Sequence, residues 1–183
     1  GNMHTECGTT TGNASEAFYC LNNNQSIIVI SAKALDYFGS KYGLEGIAGV
    51  VAHEFAHARL FQINGRTRDF IWTSAVDELQ ADCVAGVYMK EATPVKMTEE
   101  QVDKVASMLN DLGDYSIVER DWHGSPEMRS ISYRNGYYSG NLDSCLASQK
   151  HNWGTTGKQI EKEIKNAPET IDSLIKWGQN IIK

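Results

Sequence analysis

The sequence predicts an α+β fold, mostly helical, in which a small N-terminal β-hairpin sits beside two long helices that carry the chain's chemistry. Three observations lead there. β-prone runs occur only near the start, at Ala17-Phe18-Tyr19-Cys20 and at Ser26 to Ile30. From Ala32 onward apolar residues recur at helical rather than alternating spacing. The three prolines, at 94, 126 and 168, leave long uninterrupted windows between them.

At 183 residues the chain suits one domain with a substantial core and is short for two. Its hydrophobic (41%) and charged (22%) fractions are those of an ordinary soluble globular protein. A net charge of −6 argues against nucleic acid or an anionic membrane as the main partner. No apolar run approaches the roughly 18–20 residues of a bilayer span, so no membrane insertion is expected. Gly1-Asn2-Met3 reads as a trimmed start, which predicts a longer precursor.

In chain order, residues 1 to 15 are rich in Gly, Thr, Asn and Ser and are expected to be loop. The two β-prone runs, separated by Leu21 to Gln25, form the hairpin, whose outer edge could hold an extended peptide by strand addition. Ala32 to Phe38 is a short helix with Gly39 as its stop. Leu44 to Ile63 is one long helix ending before Gly65, with Ile47, Val50, Val51, Phe55 and Leu60 set among alanines. A helix this apolar is expected to be buried. The second long helix runs from about Arg68 to Glu91 and stops before Pro94. Thr98 opens a third helix, with Gln101 completing a capping box and Val102, Val105, Leu109 and Leu112 on one face. Ser125 caps a fourth, with Pro126 at its first position, and the tyrosines that follow read as packing residues. Residues 157 to 183 read as an amphipathic helix broken near Pro168, with Ile160, Ile164, Ile171, Leu174, Ile175 and Ile181 facing the body.

The first long helix contains His53-Glu54-Phe55-Ala56-His57. Residues four apart on a helix share a face, about 40° apart and one turn up. That spacing lets two ring nitrogens reach one zinc ion, with Glu54 beside them to take a proton from water. The alternative is a pair of hydrogen-bonded core histidines. Burying a carboxylate beside two imidazoles is costly unless something such as a metal compensates, which weighs against it.

A catalytic zinc takes three protein ligands and leaves a position open. Glu78 on the second long helix is the expected third ligand, and Asp82, one turn on, is placed to orient an imidazole. An isolated acidic pair would read as a solvated face, but Ala75, Val76, Leu79, Val84 and Val87 surround this one. His123, just before the fourth helix, is placed to donate a hydrogen bond to an oxyanion, although an ordinary loop histidine fits the residues equally well.

Four cysteines allow three pairings. Cys7–Cys20 with Cys83–Cys145 is favoured: the first closes a short N-terminal loop and the second ties the second long helix to the C-terminal part. Disulfides imply an oxidising compartment. Four reduced, buried thiols in a cytosolic protein are the alternative.

Several segments together resemble the neutral zinc metallopeptidases of bacterial envelopes. They are Phe18-Tyr19-Cys20, Ala52 to His57, Glu78-Leu79-Gln80-Ala81-Asp82-Cys83 with Ala85-Gly86, and His123-Gly124-Ser125 followed by Arg129, Gly136-Tyr137, Ser139-Gly140 and Cys145. The match spans roughly residues 7 to 145, and its most specific part is the string from Glu78 to Cys83. The resemblance implies a zincin-like fold and a peptide or protein substrate. It also implies zinc held by His53, His57 and Glu78, with Glu54 as base, an exported location and paired cysteines. A different class of function also fits the scaffold: a non-catalytic envelope binding module.

Overall fold

The computed structural model describes residues 3–10, 17–23, 25–64, 74–92, 96–115 and 122–147. Its elements are β1 (Met3–Thr5), β2 (Gly8–Thr10), β3 (Ala17–Asn22), β4 (Gln25–Ile30), α1 (Ala32–Asn64), α2 (Ser74–Ala92), α3 (Glu99–Leu112), α4 (Pro126–Ser139) and α5 (Leu142–Ala147). This is the mostly helical α+β architecture expected. Arg68, Gly65 and Pro94 lie outside the described residues, as does the amphipathic stretch 157–183. No helix among the described residues is long and apolar enough to cross a membrane.

β3 and β4 pair antiparallel from Ala17↔Ile30 to Asn22↔Gln25. Asn23 turns the chain at φ 48°, a left-handed conformation that Asn tolerates better than most residues. The expected loop at the N-terminus is instead partly a second hairpin, with Met3↔Thr10 and Thr5↔Gly8 in register. Each of its three threonines, a β-branched residue suited to strands, has a cross-strand partner in Met3, His4 or Gly8, and the Cys7–Cys20 disulfide ties its turn to β3. Asn22 adds a hydrogen bond from Nδ2 to the Glu6 carbonyl at 2.8 Å.

The helix expected to stop at Gly39 does not stop there. Gly39 stays helical within α1, and the break falls at Gly43, whose φ of 72° and ψ of −162° lie outside the helical region. Only the second glycine takes a backbone conformation that requires one, and that is what divides α1. The helix from Leu44 is also not buried all round. Val51 and Phe55 are exposed on one side, where the Phe55 ring meets Tyr88 of α2 edge-on at 5.0 Å. Two of α1's neighbours begin with the caps read from the sequence. Thr98 Oγ1 accepts from Gln101 N at 3.3 Å while Thr98 N donates to Gln101 Oε1 at 3.0 Å. Ser125 Oγ accepts from Met128 N at 3.3 Å, with Pro126 in the first turn.

Among the described residues two apolar clusters form the core. One joins Phe38 and Val50 to Val102, Val105, Met108 and Leu109 of α3 and to Tyr133 and Tyr137 of α4. The other joins Ala56 and Leu60 to Ala81, Val84 and Val87 of α2 and to the Cys83–Cys145 pair. Ala52 packs against both, so His53 and Glu54 stand at their junction. The favoured cysteine pairing is the one present. With 62 residues between its ends, Cys83–Cys145 contributes about 4 kcal/mol by loop-closure arithmetic. It also anchors α5, a six-residue helix that the sequence pattern does not announce.

α2 and α4 meet backbone to backbone. A Cβ on Gly136 would lie 1.8 Å from the Cys83 carbonyl oxygen, and one on Gly86 would lie 2.2 Å from the Tyr133 carbonyl oxygen. Gly136→Ala improves intrinsic helix propensity by about 1 kcal/mol, yet it collides with backbone that cannot rotate away. Overpacking should win, for a net loss of about 2 kcal/mol and a Tm lower by about 4–8 °C. A thermal melt checks this, and an unchanged or raised Tm would mean that the two helices separate freely.

Candidate metal centre

α1 sets His53 and His57 one turn apart, and α2 sets Glu78 and Asp82 one turn apart on the face turned towards them. Three side chains converge, the two imidazoles each facing a different oxygen of the Glu78 carboxylate. His53 Nε2 lies 3.1 Å from Glu78 Oε2, His57 Nε2 lies 3.3 Å from Glu78 Oε1, and the two Nε2 atoms are 3.1 Å apart. Bonds of 2.0–2.1 Å at tetrahedral angles would put ligand atoms roughly 3.3–3.4 Å apart, so the triangle is within a few tenths of an ångström of that size. His53, His57 and Glu78 are therefore a group that could hold a metal ion. The His57 side chain is 20% exposed and that of Glu78 15%, against 8% for His53, so the triangle opens to solvent on one side.

Asp82 stands behind His53, with Oδ1 2.8 Å from Nδ1. Among the described residues no aligned hydrogen bond forms at that nitrogen, so the contact is a close approach of charge rather than a linear N–H···O. In the neutral ring that a metal requires, the proximity favours the proton on Nδ1 and leaves the Nε2 lone pair facing the triangle. Asp82 is itself gripped by Arg129 of α4, whose Nε and Nη2 donate to its two oxygens at 2.9 and 3.0 Å. The same Nη2 lies 3.1 Å from Glu78 Oε2. Both Asp82 and Arg129 are buried.

The charges follow from this packing. Burial opposes a charge on His53, but Glu78 and Asp82 outweigh it and push its pKa up to about 10. Burial likewise works against ionised Glu78, yet His53 and His57 hold its carboxyl well below the ordinary range. Asp82 is lowered too: burial opposes its charge, and Arg129 and His53 prevail. Glu54 goes the other way, with burial raising its pKa more than the imidazoles lower it. Once His53 gives up its proton, as metal binding requires, the carboxylates of Glu54, Glu78 and Asp82 set against the guanidinium of Arg129 leave a net charge of −2 among these groups. A divalent cation would neutralise it.

No family model, curated protein or solved structure matches this chain.

The metal triangle, Glu54 and Arg129 line a cleft of about 470 Å³ that continues between β3 and the end of α3. His123 lines it as well, from the rim, with its side chain 49% exposed and Nδ1 3.9 Å from Asp114 Oδ2. Its loop is fastened to the end of α3: Trp122 Nε1 donates to the Asp114 carbonyl at 2.8 Å, and Asp114 N donates to the Gly124 carbonyl at 3.0 Å. The sequence reading thus names residues that the structure gathers, with His123 further out than the others. Arg129 is the residue whose part it missed. A signal was present, because Arg129 falls in helical register with Ser132, Tyr133, Gly136 and Tyr137 on the buried face of α4.

Proposed function

We propose that the chain is a zinc-dependent peptidase of the kind its motifs resemble. The observation that carries this reading is the convergence of two imidazole nitrogens on the two oxygens of one carboxylate, at contacts of 3.1–3.3 Å, with a buried carboxyl at Glu54 alongside. Two imidazoles and one carboxylate are a donor set that suits zinc and leaves a fourth position free. Zinc bound there would polarise a carbonyl and acidify water towards pKa ~7. Glu54 accepts the proton of the attacking water on its carboxylate and returns it to the leaving amine. Asp82 fixes the His53 tautomer, Arg129 fixes Asp82, and His123 donates to the oxyanion from the rim. The two disulfides support an exported location, since an oxidising compartment preserves them.

Zinc titration of chelator-treated protein, with parallel hydrolysis of casein and a peptide library, tests the reading. One zinc per chain and chelator-sensitive hydrolysis are expected. His53 must lose its proton to bind, and without zinc it is protonated up to about pH 10. Near pH 7.5, binding should therefore release the His53 proton in addition to the one lost by zinc-bound water, read by calorimetry in buffers of different ionisation enthalpy, and the His53 share should fade as pH rises through 10. Zinc uptake with no hydrolysis of any peptide would favour a non-catalytic binding module instead.

A further inference from the structure

We infer that the cleft takes a large aliphatic or aromatic side chain of the substrate, on a residue adjoining the bond that is cut; this rests on the peptidase reading above. The charged lining residues Glu54, Glu78 and Arg129 gather at the metal end. Away from it the wall is apolar, made by Phe18 of β3, Phe38 and Val50 of α1, and Leu109 and Leu112 of α3. Val50 is one turn before His53 and Glu54, so this wall begins next to the base.

Phe38, Val50 and Leu109 are core residues, no more than 4% exposed, and form a fixed floor. Leu112 is different. It is 38% exposed at the cleft mouth, an apolar surface left for a ligand to cover. Of the residues that line the cleft, the charged ones stand at the metal end and His123 at the rim, so an Asp or Lys side chain on the Phe38, Val50 and Leu109 floor would lose hydration without compensation. A leucine or phenylalanine would bury itself against Leu112 and Phe18, above that floor. Apolar pockets discriminate by about 10–200-fold for a single group of that kind.

The test uses the zinc-loaded full chain and a positional-scanning peptide library, with cleavage sites mapped by mass spectrometry. Sites should share Leu, Ile, Met or Phe at one position adjoining the cut. Replacing that residue by Gly or Asp should lower kcat/KM at least tenfold. Titrating the Glu54→Gln protein with the same peptides gives a readout that needs no turnover, and the same order of preference is expected in Kd. Leu112→Asp, on an exposed side chain that the fold does not require, should shrink the Leu-to-Gly ratio at least several-fold in both assays. Cleavage with no apolar preference on either side of the cut, or a ratio untouched by Leu112→Asp, would overturn the pocket assignment and leave the peptidase reading standing. A zinc-holding protein that cuts nothing would instead defeat the peptidase reading, and this assignment with it.

Discussion

Glu54→Gln should bind zinc as tightly as the parent chain and hydrolyse peptides about 10²–10⁴-fold more slowly, the usual size of a general-base contribution. The substitution keeps the shape of a buried side chain and removes only its basicity. Glu54 is not one of the three converging donors, so the ligand set survives. Its environment also suits the task. Burial raises its pKa above the ordinary value, which brings a carboxylate closer to a base working near neutrality. Zinc content and kcat/KM measured side by side check this. A variant with full zinc and full activity would take Glu54 out of the mechanism.

Arg129→Met should destabilise the fold by about 3–5 kcal/mol, because it takes both guanidinium hydrogen bonds from the fully buried carboxylate of Asp82 and leaves it His53. For a chain of this size that is a fall in Tm of about 6–20 °C. Removing both partners, as Arg129→Met with Asp82→Leu, should restore much of the loss, since an apolar pair of similar volume often replaces a buried ion pair at little cost. Denaturant unfolding of the two variants separates the cases. An Arg129→Met chain as stable as the parent would mean that water reaches Asp82.

Much of the site was legible because helix geometry turns sequence spacing into direction. His53 with His57 and Glu78 with Asp82 each occupy one helix face, and apolar neighbours mark those faces as inward. The caps at Thr98 and Ser125 were legible for a related reason, since they are local chemistry between residues three apart. What escaped depends on contacts distant in sequence. The β1–β2 hairpin carries Gly and Thr, residues that also build loops, and its disulfide to β3 helps to decide between the two. Gly39 and Gly43 look alike until φ is known. Arg129 gained its meaning from Asp82, 47 residues away in sequence. The six residues of α5 are too few for periodicity to show, and Cys145 is held by its bond to Cys83.

The glycine contact between α2 and α4 has one more consequence. Helices that touch along their main chains cannot slide past one another, so the spacing between Glu78 and Arg129 is set by the scaffold before any cation arrives. In the smallest metal-dependent modules the ion supplies the folding energy itself. On the metallopeptidase proposal, assembly and loading would be separate events: the polypeptide would mature with its ligands already aligned and acquire its ion afterwards, wherever that ion is supplied.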